Sequence, residues 1–119
     1  MNIVAITVVN VVVCKQVNNM LKHVVMWRFV EGAAGKSRLE HAKWMKEHLE
    51  ALVGVVPDIC SIEVGVNENP TASGYDAVLV SLFENKEALE RYKVHPAHQA
   101  VAAYCKEVRD LRADVDYEI

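Results

Sequence analysis

Tyr75-Asp76-Ala77-Val78-Leu79-Val80-Ser81-Leu82-Phe83-Glu84 decides the fold. Rich in β-branched and aromatic residues and preceded by a Gly/Ser turn, it reads as a strand. Successive side chains of a strand point to opposite faces, so Ala77, Leu79, Ser81 and Phe83 share one face and Val78, Val80 and Leu82 the other. Both faces are apolar. An antiparallel strand with one wetted side would alternate apolar with polar, so each face here needs a cover. Leu21 to Val30 repeats the pattern, with His23, Val25, Trp27 and Phe29 opposite Lys22, Val24, Met26 and Arg28.

Two further strands complete the set. Asp58 to Asn67 alternates Cys60, Ile62, Val64 and Val66 against Ser61, Glu63 and Gly65, and Arg109 to Ile119 forms the last strand. Between them lie helices. Ser37 followed by Glu40 is a capping box, opening a helix whose apolar stripe is expected at Leu39, Ala42, Met45, Leu49, Leu52 and Val53. Gly54 and Pro57 close it. Lys86 to Tyr92 consists mostly of good helix formers. Pro96 then removes a backbone donor and holds His95 out of the helical region, so the helix stops there, and Pro96 opens a second one through Val108.

The order β-α-β-β-α-β predicts an α+β, ferredoxin-like fold with an antiparallel sheet and its helices on one face. That leaves the opposite apolar face uncovered. An exposed apolar sheet in a small domain marks an interface, and the simplest cover is a second copy of the same sheet. The expectation is a two-fold homodimer whose sheets form an α/β barrel.

Composition narrows the function. The 119 residues are 52% apolar and 24% charged, a single globular domain spanning residues 20–119, with a net charge of −3. Lys and Arg are scattered without a basic run, so nucleic-acid binding has no footprint. There is no phosphate-binding glycine loop and no nucleophile elbow, which removes nucleotide chemistry and serine hydrolysis. His95 and His98 straddle the proline break without a third ligand at metal spacing. No metal and no cofactor are expected. Cys14, Cys60 and Cys105 are odd in number and lack CxxC spacing, and read as reduced thiols of a cytoplasmic protein. His41 and His48 are expected to be solvated.

Residues 1–19 stand apart. Ile3 to Val13 is almost continuously aliphatic, too short to span a bilayer and lacking the basic start of a secretion signal. Two readings stay open: an accessory strand on a sheet edge, or a leader preceding a natural start at Met20.

The chemistry concentrates in Tyr92-Lys93-Val94-His95-Pro96-Ala97-His98-Gln99, one phenol and two imidazoles around a helix break. Such a bend aims proton-transfer groups at one point; it also serves merely to turn a corner, with His95 as a cap and Tyr92 in the core.

From Met20 onward the chain resembles the stress-responsive dimeric α/β-barrel family, the Dabb domain. The resemblance rests on Leu21-Lys-His-Val-Val, Ile62-Glu-Val-Gly-Val-Asn67, Tyr75-Asp76-Ala-Val-Leu, Phe83-Glu-Asn-Lys-Glu-Ala-Leu, Tyr92-Lys-Val-His-Pro-Ala-His98 and Asp116-Tyr-Glu, in that order. It implies the dimeric barrel already expected, and an apolar cavity between sheet and helices, lined by His23, Val25, Trp27, Ala77, Leu79 and Asp116. Many relatives have no assigned role, and some are linked to stress tolerance. Certain plant relatives are polyketide cyclases that close poly-β-ketone chains by cofactor-free aldol condensation; their proton-transfer Tyr and His match Tyr92 and His98. Met45, Lys46 and Leu49 depart from the aromatic residues that hold the polyketide there. The expected partners are a second copy and a small hydrophobic ligand, with no nucleic acid and no membrane. The enzyme alternative is a cyclase, monooxygenase or isomerase of the same barrel type.

Overall fold

The computed structural model describes residues 14, 19–71 and 73–119. The leader expected at residues 1–19 falls outside the described residues apart from Cys14 and Asn19. The elements are β1 (Leu21–Phe29), α1 (Arg38–Glu50), β2 (Ser61–Val66), β3 (Ala77–Phe83), α2 (Lys86–Val94), α3 (Pro96–Val108) and β4 (Arg109–Glu118). One antiparallel sheet runs in the order β2-β3-β1-β4, the ferredoxin-like arrangement.

Local chemistry sets each boundary. The Ser37 side chain accepts from the Glu40 backbone N–H while the Glu40 carboxylate accepts from Ser37 N, so both halves of the capping box are made. Asn85 caps α2 by accepting from Ala88 N. At the break, His95 takes up extended geometry, ends α2, and its Nδ1 accepts from Ala97 N to open α3. Proline follows where a missing donor costs nothing.

The helix side of the sheet is the core. Val25, Trp27 and Phe29 of β1 and Leu79 and Phe83 of β3 pack with Met45 and Leu49 of α1 and Leu89 and Tyr92 of α2. Among the described residues, Asp76 is the one buried carboxylate, at the edge of this layer. It accepts from Phe29 N at 2.8 Å and from Arg38 Nε at 3.1 Å, while the same arginine reaches the carbonyls of Thr71 and Gly74. One ion pair thus ties the β2–β3 loop to α1 and to the end of β1.

The opposite face stays apolar and uncovered. Val24, Met26, Val78, Val80 and Leu82 are joined there in register by Ala113, Val115 and Tyr117 of β4. Val115 is 55% exposed and Tyr117 45%.

Three expectations need correction. Leu39 is 49% exposed, and His41 takes its place in the buried stripe. At 3.6 residues per turn Leu39 falls about 120° from Met45, outside the stripe, whereas His41 falls only about 40° away. The His41 ring is satisfied at both nitrogens, by the Tyr104 hydroxyl and by the carbonyl of Ala33. Neither is His48 simply solvated: its ring stacks on Trp44, which stacks in turn on Tyr104. Finally, Cys14 and Cys60 are not reduced thiols but a disulfide, with Cα atoms 5.6 Å apart, and only Cys105 is free and buried. Distance along the chain hides such a pairing, because residues separated by 46 positions meet only once the sheet edge is built.

Candidate functional site

A cavity lies between the helix side of the sheet and α3. Its volume is about 370 Å³, within the range of small-molecule sites. His23, Val25 and Trp27 of β1 and Leu79 of β3 form the floor, and Met45 and Leu49 of α1 form one wall. Tyr92 and His98 enter from the two sides of the helix break. The proline break is what makes this possible, since it redirects the chain between the two residues.

Tyr92 and His98 face each other with ring centroids 4.3 Å apart, inclined at 49°. Phe83 packs against Tyr92 from the other side, with centroids 5.0 Å apart. Tyr92 is fully buried, and its hydroxyl has no hydrogen-bond partner among the described residues. A buried orphan donor costs about 1–3 kcal/mol, so its retention calls for a reason. Burial also raises its pKa well above the ordinary phenol value, which keeps the hydroxyl protonated at neutral pH.

His98 is held in one tautomer. Its Nδ1 donates to the carbonyl of Lys93 at 3.1 Å, which leaves the Nε2 lone pair as the free basic position of the neutral ring. Desolvation lowers its pKa against the opposing hydrogen bond to the Lys93 carbonyl, and the charges of His23, Arg112 and Lys93 push it down further. At neutral pH the pair is therefore a protonated phenol beside an unprotonated imidazole: a donor and a base.

His23, on the floor, is the third polar group of the site. Its Nδ1 lies 2.5 Å from Oδ1 of Asp116, directly opposite in the β1–β4 register. A carboxylate only accepts, so Nδ1 carries the proton. Asp116 thus orients His23 and does not line this cavity, contrary to expectation: it borders a separate pocket with Asn85 and Glu87. Ala77 does not line it either. It shares Leu79's face but sits one pleat further along β3, opposite Trp27 and Val66 within packed core.

Sequence reading missed the rim. Lys93, Lys106, Arg109 and Arg112 border the cavity, and among the described residues no carboxylate does. The repeated threefold spacing of Lys106, Arg109 and Arg112 was the available signal, obscured because it crosses from α3 into β4. Cys105 forms part of the wall; burial pushes its thiol up to about 11, so it is uncharged there.

The sequence model of the stress-responsive A/B barrel domain matches residues 21–119, and the chain belongs to that family. An uncharacterised protein of Streptomyces coelicolor is 31% identical over 88 residues, covering 74% of this chain and 89% of the relative. A dimeric protein of unknown function with a ferredoxin-like fold from Bacteroides fragilis is 33% identical, with a TM-score of 0.71 over 84% of this chain and 96% of that one. A protein of Arabidopsis thaliana is 26% identical, with a TM-score of 0.68 over 83% and 94% of the two chains.

Proposed function

We propose that the protein is a homodimer, joined through the uncovered sheet face, that binds a small apolar molecule in the helix-side cavity of each protomer. The observation that carries the binding reading is a ligand-sized cavity with a largely apolar floor, backed by the buried Tyr92, whose hydroxyl has no hydrogen-bond partner among the described residues. The dimer reading draws on the apolar face and on the Bacteroides fragilis relative being dimeric. The test is an NMR titration with a small aromatic probe. Shifts should concentrate on the Trp27 indole and the His98 imidazole; shifts confined to Met26 and its neighbours on the open face would sink the binding reading.

A second reading is favoured by the paired protonation states. A neutral His98 beside a protonated Tyr92 suits a cofactor-independent enzyme of the cyclase or isomerase type. His98 Nε2 would take a proton from a carbon flanked by carbonyls, and Tyr92 would donate a hydrogen bond to the oxygen on which charge develops. His98→Ala or Tyr92→Phe should then cost roughly 10²–10⁴-fold in turnover while leaving ligand binding and folding largely intact. Wild-type turnover retained in both variants would eliminate it.

The cytoplasmic location expected from the cysteines loses that support with the Cys14–Cys60 disulfide, which fits an oxidising environment better. Among the described residues, no helix is long and apolar enough to cross a membrane.

A further inference from the structure

The rim of the cavity carries only one sign of charge. Acidic residues outnumber basic ones in the chain, 16 to 13, yet among the described residues the cavity is bordered by Lys93, Lys106, Arg109 and Arg112 and by no carboxylate. Two of the four are neutralised beside it: Arg112 pairs with Asp114, and Lys93 reaches Glu90 at 3.4 Å. Lys106 and Arg109 have no ion-pair partner among the described residues.

A blander role accounts for part of this charge. Lys106 lies in the last turn of α3, where a cation is favoured by the helix dipole. Arg109, the C-cap residue of the same helix, lies within reach of the same dipole but is less exposed than Lys106. It is half-buried, and its backbone N–H bonds to the carbonyl of Cys105, which fixes the residue at the joint between α3 and β4. The charges of Arg109 and Arg112 are felt at the Cys105 thiol, and those of Arg112 and Lys93 at His98, so the rim acts on the cavity and not only on bulk solvent. An apolar floor beneath unpaired cations is the complement of a molecule with an apolar body and one anionic end.

We propose that the cavity is selective for carboxylates with an apolar body, the body resting on Val25, Trp27 and Leu79 and the carboxylate meeting Arg109 and Lys106 at the mouth. The guanidinium of Arg109 offers the planar, forked donor geometry that a carboxylate accepts in two bonds. This inference rests on the cavity-binding reading above and adds the charge of the ligand. It also separates labour within the site: the cations hold the anionic end, leaving the uncharged Tyr92–His98 pair to address the body.

The experiment compares 2-naphthoate with 2-naphthamide, nearly the same shape but differing in charge, by calorimetry on the full chain. The wild type should prefer the carboxylate about tenfold, and the preference should shrink as salt is raised. In the Lys106→Gln, Arg109→Gln double variant the carboxylate's advantage over the amide should vanish, and a preference retained there would also overturn the inference. A circular dichroism spectrum and melting temperature close to wild type report that the variant is folded. Equal binding of both probes to the wild type, or a preference that high salt leaves undiminished, would overturn the anion inference while leaving the cavity reading intact. If neither probe binds the wild type, the cavity reading itself falls and the inference with it.

Discussion

At the scale of single residues, Tyr92 and His98 owe their usefulness to burial acting in opposite directions on two kinds of group. Desolvation disfavours whichever form is charged, so the phenol holds its proton and the imidazole gives it up. The pH dependence follows. Protonation of His98 removes the base, and its folded-state pKa lies below the ordinary value of 6.5. Any turnover should therefore be flat through neutrality and fall only as pH drops below about 6.5, with no alkaline limb until beyond the ordinary phenol range. Stability carries the same sign. A depressed histidine pKa contributes stability that is fully present above about 6.5 and lost as pH falls through the folded value. In His98→Ala that portion of the acid-side loss should vanish from thermal melts; a melting curve with unchanged pH dependence would count against the assigned protonation state.

At the scale of elements, the ion pair of Asp76 and Arg38 is the joint between loop, helix and sheet. Asp76→Ala would strand the Phe29 N–H in the core and leave Arg38 without its carboxylate partner, with only the Thr71 and Gly74 carbonyls to accept from it. The expected cost is about 2–4 kcal/mol in chemical denaturation, discounted because Arg38 retains some exposure. A loss below about 1 kcal/mol would mean that water replaces the carboxylate freely. Nothing in local sequence announces this joint, which connects a loop to a helix that precedes it by more than thirty residues. Elements governed by neighbouring residues were legible: the Ser37–Glu40 box, the alternation of β1 and β3, and the restart of the helix at Pro96. The site was half legible for the same reason. Tyr92 and His98 share one short stretch, and the floor residues of β1 follow from alternation, as does Leu79. Ala77 was misplaced because a shared face does not fix depth along a strand. Asp116 was misplaced because its carboxylate is spent on His23. His41 was lost from the core because a histidine counts as polar until Tyr104 and Ala33 are known to satisfy both nitrogens.

At the scale of the whole molecule, one sheet divides two environments, a core with its cavity on one side and a bare apolar surface on the other. Val80, central on the bare side and paired with Val24 and Glu63, is a clean probe of that surface. Val80→Glu should shift sedimentation at micromolar concentration from dimer to monomer, because burying an unpaired carboxylate in a sheet-to-sheet interface costs several kcal/mol. A wild-type protein sedimenting as a monomer under the same conditions would refute the dimer outright.

The division has a further consequence for stoichiometry. The cavity's floor and wall lie on the helix side of the sheet, across from the surface where a second copy would join. Each protomer is thus equipped to act alone. A dimer should take up two ligands with equal affinity and a Hill coefficient of about one, a pair of independent vessels set back to back.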